Sequence, residues 1–395
     1  MNGLLLAVLA LVGGTVYPVA GPPIDGATVL IEDGRVTAVG REITIPDDAE
    51  RIDATGHVIT PGFFDAWTTL GLVEISGVDH TNDADDGRSG AIRASHRVTD
   101  SYNPASSLIP IQRAHGLTTV GVVPRGGIIS GQAAVYDLGA PKAVRAPVGF
   151  VARFGARSGG SRSATLAKLR SVIDEVRFYR SKRRQFEQNR TRPLGVNRLD
   201  LEALEPLIEG KVPLFLQVNR RSDIVQALEF AREMRVKLVL VGAAEAWLEA
   251  KRIAAAGVGV ILDPSANAPA NFDSIKTRAD AASILEDAGV EIAISTFATH
   301  NARKLRQWAG NAVRAGLSKS AALRAITRTP AKLYGLPDRG LIAPGMVANL
   351  VIWSGDPFEF SSRVRDVFIL GSPVDLNHRQ RALFKRYRTL STSSQ

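Results

Sequence analysis

The stretch VPLFLQVNRRSDIVQALEFAREMRVKLVLVG, residues 212–242, contains one complete strand–helix–strand unit. Both ends are short, continuous apolar runs, which is typical of strands that are covered on both faces. Residues 222–235 between them repeat apolar side chains at helical spacing, and Ser222 is the expected N-cap. The stretch therefore predicts two parallel strands joined by a crossover helix.

The same alternation continues on both sides of this unit. Residues 163–176 have helical periodicity, and further apolar runs occur at LTTVGVV (117–123), VGVILD (258–263) and VEIAIS (290–295). Repeated strand–helix units over residues 61–337 predict an α/β fold, a TIM-like (β/α)8 barrel. A doubly wound open sheet is the alternative, but the glycine spacing of a dinucleotide or phosphate loop is missing. The glycine-rich stretch at residues 124–132 is expected to be a loop that shapes the barrel mouth.

The two ends of the chain are rich in β-like segments. Residues 1–60 contain short runs separated by turns, and Asp33–Gly34 is a strong hairpin signal. Residues 338–376 have the same pattern. Because each end is too small to be stable alone, we expect both to combine into one small β-sandwich. Residues 377–395 form a basic tail.

Composition excludes several kinds of chemistry. The 395 residues include no cysteine, so disulfides, thiolate metal sites and a cysteine nucleophile are excluded. The apolar run Leu4–Val12 is too short to span a bilayer and has no charged segment before it, as a signal peptide would. We therefore expect no transmembrane segment, and a cytoplasmic rather than a periplasmic location.

The net charge of +10 is concentrated in two segments, 177–192 and 378–388. Such segments can bind an anionic partner, and they can also be solvated surface. No nucleic-acid-binding motif accompanies them, so we expect solvated surface and no specific nucleic-acid binding.

Several motifs resemble the amidohydrolase superfamily, and its imidazolonepropionase-like branch in particular. They are GHVITPGFFDAW (56–67), GLSKSAALRAITRTPAKLYGL (316–336) and RGLIAPGMVANLVIWSGDP (339–357). The resemblance implies a TIM-like barrel that carries a β-sandwich built from both termini. It also implies hydrolysis of non-peptide C–N bonds by a divalent metal, usually zinc, which polarises a carbonyl and activates a water.

The positions that the resemblance assigns to metal ligands carry other residues. These vestigial positions are Trp67 and Thr69 after the first barrel strand, Gln217 and Gly242 after two middle strands, and Thr296 after the last strand. Indole nitrogen is only a donor, threonine is a weak neutral ligand, an amide suits calcium better than zinc, and glycine has no side chain. The six histidines are scattered, with no two close in sequence. We therefore expect neither a bound metal nor another cofactor.

Three residues are expected to line a pocket at the barrel mouth. Asp65 is the aspartate that remains from the family's Asp-x-His-x-His signature, Asn219 follows Gln217 by two positions, and Phe297 is next to Thr296. The resemblance therefore predicts a pocket that a small molecule can enter.

Other acidic residues are candidates for a rebuilt site. Asp263, Glu245 and Glu74 are candidate catalytic residues because each is expected near a strand end, where a pair of carboxylates could perform acid–base chemistry. The loop 78–87 could bind a hard cation through Asp79, His80, Asp83, Asp85 and Asp86, although its spacing does not match an EF-hand.

These observations predict a pseudo-amidohydrolase that acts as a binding or partner subunit. We expect a homo-oligomer, or a heteromer with an active relative. The alternative is an active hydrolase of a cyclic amide or related C–N bond that uses a rebuilt or metal-free carboxylate site.

Overall fold

The computed structural model describes residues 8–85, 91–155 and 159–388. Its strands are β1 (Leu9–Val16), β2 (Ile24–Glu32), β3 (Arg35–Gly40), β4 (Glu50–Asp53), β5 (Val58–Pro61), β6 (Phe63–Thr68), β7 (Leu117–Val122), β8 (Ile129–Asp137), β9 (Arg145–Arg153), β10 (Leu214–Val218), β11 (Leu238–Gly242), β12 (Gly259–Leu262), β13 (Ile292–Ile294), β14 (Leu350–Trp353), β15 (Val364–Ile369) and β16 (Ser372–Pro373). Its helices are α1 (Ile109–Arg113), α2 (Arg162–Glu187), α3 (Arg198–Ala203), α4 (Glu205–Ile208), α5 (Arg221–Met234), α6 (Ala250–Ala255), α7 (Ala281–Asp287), α8 (Leu305–Arg314), α9 (Lys319–Ala325), α10 (Arg328–Leu333) and α11 (Arg379–Tyr387).

Strands β6 to β13 follow one another in a single eight-stranded sheet, so the predicted α/β barrel-like fold is confirmed. All neighbours are parallel except at β8, which is antiparallel to both β7 and β9. The strict (β/α)8 alternation is therefore wrong at this point. The connections on either side of β8 are only a few residues long, and a parallel crossover needs a dozen or more. The expected mouth loop at residues 124–132 ends inside β8.

Side chains join the two ends of this sheet and nearly close it into a barrel. The Trp67 backbone N–H of β6 donates to the Ser295 hydroxyl at 3.0 Å. The Thr68 hydroxyl donates to the Ala298 carbonyl at 2.7 Å. These bonds cross from the first strand to the segment after the last one, where the described residues form no ladder of backbone bonds.

The interior of the barrel is a packed apolar core. Side chains alternate along each strand, so Phe215 of β10 points inward and Leu216 points to the surrounding helices. The inward side chains include Phe64, Trp67, Val135, Phe215, Val239, Ile261 and Tyr334. The rings of Phe215 and Tyr334 stack with centroids 4.8 Å apart. The lumen is therefore filled with side chains, as in other barrels of this size.

The second eight-stranded sheet combines both ends of the chain. Its order is β16–β15–β14–β5–β1–β2–β3, and β4 pairs with β1. Strand β14 is antiparallel to β5, with Leu350 opposite Pro61. The expectation that the two ends combine is thereby confirmed, although in the form of one sheet. Its arrangement as a two-layered sandwich, and the domain boundaries at 60, 338 and 376, stay predictions.

Helix α5 begins differently from the prediction. Its N-cap is Arg220, whose side chain makes no capping bond, and Ser222 lies inside the helix. The backbone N–H of Arg221 instead donates to the Glu245 carboxylate at 2.8 Å. A carboxylate from another element therefore satisfies the helix terminus and complements its dipole.

A bilayer-spanning helix is not found in residues 8–85, 91–155 and 159–388. The basic tail contains the nine-residue helix α11, none of whose residues is buried. Residues 379–387 of the basic tail are therefore helical and exposed to solvent.

Candidate functional site at the barrel mouth

A cavity of about 290 Å³ opens where β10 to β13 end. Each of the four strand ends contributes to its lining: Asn219 follows β10, Gly242 ends β11, Asp263 follows β12 and Phe297 follows β13. The carboxyl ends of barrel strands are where enzymes of this architecture bind their substrates. Among the sequence-predicted site residues, these four are brought together around one space.

Gly242 has no room for a side chain. Its φ is +81°, and a β-carbon would lie 2.7 Å from Oδ1 of Asn219. That same oxygen accepts the Ala244 N–H at 3.4 Å. A histidine at position 242 would therefore need both a strained backbone and a displaced Asn219.

Asp263 is the carboxylate of the cavity wall. It accepts bonds from the backbone N–H of Ser265 at 2.9 Å and from the Ser265 hydroxyl at 2.6 Å. Burial raises its pKa above the ordinary aspartate value, and these bonds offset the effect only in part. The group can therefore exchange a proton closer to neutral pH than a surface aspartate does.

Trp67 lies in the lumen beneath the cavity. Its side chain is 5% exposed. Its ring meets Phe215 edge-on with centroids 6.0 Å apart, and it lies 6.4 Å from the ring of Phe297. Since Phe297 lines the cavity and touches Trp67, the indole occupies the barrel interior directly below the mouth.

Asp65 is buried in the barrel seam and does not line the cavity. Its carboxylate accepts bonds from the hydroxyls of Ser295 and Thr296 and from the Thr296 N–H at 3.2 Å. Burial raises its pKa to about 6, and these bonds act in the opposite direction. The retained aspartate therefore links β6 to the end of β13.

The side chains at the other vestigial positions also do not line the cavity. The Thr69 hydroxyl is bonded to the Thr299 hydroxyl, and the Thr296 hydroxyl is bonded to Asp65. Gln217 is half-buried in β10, and its side chain forms no hydrogen bond to the described chain. The sequence reasoning missed the seam partners Ser295 and Thr299. They lie about 230 residues from their partners in and just after β6, and no local pattern indicates them.

The remaining candidate carboxylates are engaged elsewhere. Glu245 accepts the N–H groups of Arg221 at 2.8 Å and Lys276 at 3.0 Å, one on each oxygen. Glu74 accepts the Ser107 hydroxyl at 3.1 Å. Neither residue lines the cavity that contains Asp263, so the three candidates do not form one acid–base site.

The acidic loop does not form a cation site within the described chain. Asp85 forms an ion pair with Arg93 at 3.1 Å. Asp79 and His80 lie in a short 3-10 helix with no buried residue. Asp86 lies outside the described residues.

The residues at the positions that the resemblance assigns to metal ligands do not fit a divalent metal. An indole, two hydroxyls engaged in hydrogen bonds, a single amide and a glycine provide neither negative charge nor imidazole nitrogen. Across the described ranges, no group of three or more His, Asp or Glu side chains is close enough to hold a metal ion.

Neighbouring carboxylates pair with four of the seven basic residues in segment 177–192. Arg180 pairs with Glu209 at 2.8 Å, and Arg192 pairs with Glu175 at 2.8 Å. Arg183 pairs with Glu205. These contacts favour a packed helix surface over an anion-binding face.

Comparisons with known proteins agree with this architecture. Residues 200–374 match the model of the Amidohydrolase family. The crystal structure of an amidohydrolase from Thermotoga maritima MSB8 is 28% identical, with a TM-score of 0.84 over 93% of this chain and 99% of that one. Residues 200–374 therefore resemble the amidohydrolase family in sequence, and the whole fold resembles that of a solved amidohydrolase. An adenosine deaminase from Xanthomonas campestris with bound zinc, 18% identical with a TM-score of 0.58 over 97% of each chain, shares the fold.

A short segment of the chain also resembles a dihydroorotase. It is 52% identical over 42 residues to a dihydroorotase from Mycobacterium tuberculosis, which is 11% of this chain and 10% of that enzyme. Because the match spans about a tenth of the dihydroorotase, it does not extend that enzyme's activity to this chain.

Proposed function

We propose that this amidohydrolase-family protein is a pseudo-amidohydrolase, which binds a small molecule at the barrel mouth without metal-dependent hydrolysis. The position of Trp67 carries the proposal. Its ring occupies the lumen below the mouth, at a position that the family resemblance assigns to a histidine ligand. Gly242, Thr69 and Thr296 support the same conclusion, since two are hydrogen-bonded hydroxyls and the third has no side chain.

The cavity suits a small, flat, neutral ligand. Phe297 provides an apolar ring after β13, and Asp263 and Asn219 provide polar atoms after the nearby strands β12 and β10. A planar cyclic amide has one apolar face and both donors and acceptors at its edge, which matches this lining. We propose this ligand class, which is also the class that the imidazolonepropionase-like resemblance implies.

The proposed biological role is that of a binding or partner subunit, either in a homo-oligomer or beside an active relative. Two observations support this role: the fold is that of an amidohydrolase, and the positions expected to bind the metal carry residues that do not fit a divalent metal. Light scattering of the purified protein, alone and with a co-expressed family member, measures whether such an assembly forms.

A binding and turnover experiment tests the proposed ligand. Cyclic amides such as hydantoin and dihydrouracil are titrated by calorimetry, and ring opening is followed in parallel. We expect binding without turnover. Asn219→Ala should weaken binding. The control Asn377→Ala, on the exposed C-terminal segment, should leave binding unchanged. Ring opening that is abolished by a chelator would contradict the proposal.

One observation favours a second candidate, an active hydrolase without a metal. Asp263 lines the cavity and has a raised pKa, so its carboxyl group can accept a proton from an attacking water. This candidate predicts slow, chelator-resistant ring opening that Asp263→Asn abolishes and Glu245→Gln does not. Turnover that survives Asp263→Asn would exclude it.

A further inference from the structure

A second cavity, of about 560 Å³, lies between α11, the start of α8 and the segment 360–364. Five arginine and lysine side chains line it, namely Arg303, Lys304, Arg306, Arg363 and Arg381. His115 and His378 also line it, and no carboxylate is among its lining residues. The site is separate from the barrel mouth and shares no lining residue with it.

The cations of this cavity lack the carboxylate partners that the cations of α2 have. Arg303 donates to the backbone carbonyl of His300 at 2.8 Å, and Arg306 donates to that of Ser362 at 3.0 Å. These neutral acceptors hold the guanidinium groups in place without cancelling their charge. None of the five forms an ion pair within the described chain, so the cavity is a preformed site of positive charge.

The two histidines of the cavity, His115 and His378, have lowered pKa values. Burial lowers the pKa of His115, and the neighbouring Arg303 and Arg306 lower it further. The pKa of His378 is lowered by burial and then by Arg381 and Arg303. Both imidazoles are therefore neutral at pH 7. Nδ1 of His115 donates to the Ile111 carbonyl at 2.8 Å, whereas Nδ1 of His378 accepts the Arg381 N–H at 3.3 Å, so the N–H of His378 is on Nε2.

Large apolar side chains are exposed around the same cavity. Phe360 is 74% exposed and Phe384 is 65% exposed, and both belong to the cavity lining. Leu383 and Tyr387 are exposed on α11 next to Phe384. Helix α11 buries no residue, and so short a helix gains little stability without a surface to pack against.

We propose that α11 and this cavity dock on an anionic lipid surface, with a headgroup phosphate in the cavity and Phe360, Leu383, Phe384 and Tyr387 at the acyl boundary. Cations beside exposed aromatic and aliphatic side chains on one short helix are the pattern of an interfacial membrane helix. A symmetric contact with a second copy would bring five cations against five others. Nucleic acid would leave Leu383 unburied, since its groove contacts are mostly polar.

Co-sedimentation of the full-length protein with lipid vesicles tests the proposal. We expect binding to vesicles of phosphatidylcholine with phosphatidylserine, no binding to pure phosphatidylcholine, and a decline with added salt. Lys304→Gln with Arg381→Gln should lower the partition coefficient about 30-fold, at about 1 kcal/mol per cation. Lys182→Gln with Arg184→Gln removes the same charge from exposed positions of α2 and should have little effect.

Phe384→Ser separates insertion from charge attraction. Because Phe384 is exposed in the free protein, its loss does not weaken the fold, and we expect vesicle affinity to fall about tenfold. The proposal would be overturned if neutral vesicles bound the protein as tightly as anionic vesicles do. It would also be overturned if the α2 double variant lost as much vesicle affinity as Lys304→Gln with Arg381→Gln. Tighter binding to glycerol phosphate or to a single-stranded oligonucleotide than to the anionic vesicles would also overturn it.

Discussion

At the residue scale, Asp65 occupies a position of the family's metal-binding signature but has a structural role in this protein. Asp65 stands where the family resemblance has the start of a metal-binding signature, yet its oxygens are taken by hydroxyl and N–H donors from the end of β13. In this molecule the side chain closes the barrel. Trp67, two residues further on, faces the lumen and fills it.

The raised pKa of Asp65 predicts a pH dependence of stability. Its folded pKa is about 6 against an ordinary value of 3.8, so between these values the folded state holds a proton that the unfolded state has released. The contribution of Asp65 to the free energy of unfolding therefore falls by up to about 3 kcal/mol as the pH rises from about 4 to 6.

Comparison with Asp65→Asn isolates this contribution. Urea unfolding of both proteins at pH 4.5 and pH 7 gives two differences in unfolding free energy. We expect the stability of the wild type relative to Asp65→Asn to be lower at pH 7 than at pH 4.5. A difference that does not change with pH would contradict the assignment of a protonated Asp65 in the folded state at low pH.

At the scale of elements, the buried link between the two sheets is Asp137 at the end of β8. Its side chain is 1% exposed and pairs with Arg339 at 2.7 Å. It also accepts the Asn349 amide at 2.9 Å and the Thr119 hydroxyl at 2.9 Å. The antiparallel strand β8 thus places the carboxylate of Asp137 at the junction between the barrel and the terminal sheet.

Removing Asp137 should destabilise the whole molecule. Asp137→Ala removes the buried partner of Arg339, which keeps only the more exposed Asp338 at 2.9 Å. We expect a loss of about 3–5 kcal/mol in unfolding free energy. Asp356→Ala breaks the surface pair with Lys319 and should cost about 0–1 kcal/mol. Chemical unfolding of the two variants measures the contrast, and similar losses would argue against Asp137 as the link.

Sequence patterns predicted most of the barrel strands because each is a continuous apolar run that is covered on both faces. The reversed strand β8 was missed because ISGQAAVYD contains glycine and polar residues and follows two glycines. The N-terminus of α5 was missed because its cap, Glu245, comes from another element. Local sequence carries little information about partners that only the fold brings together.

At the scale of the whole molecule, the fold resembles that of a solved amidohydrolase, whereas several side chains at the mouth differ from those that the resemblance implies. The barrel and the composite terminal sheet match the Thermotoga maritima amidohydrolase structure with a TM-score of 0.84. The positions that the resemblance assigns to metal ligands carry an indole, hydroxyls, an amide and a glycine. The family resemblance located these positions in the sequence, but the packing of Trp67 against Phe215 and the seam bonds of Asp65 required the three-dimensional structure.

Metal content tests the central claim most directly. The full-length protein is purified without chelator and without a histidine-rich tag, incubated with zinc, manganese or iron, desalted, and measured by elemental analysis. We predict a folded protein with far less than one metal ion per chain for each metal. Near-stoichiometric metal that survives desalting would contradict the account, because it would require a ligand set other than the residues at the barrel mouth.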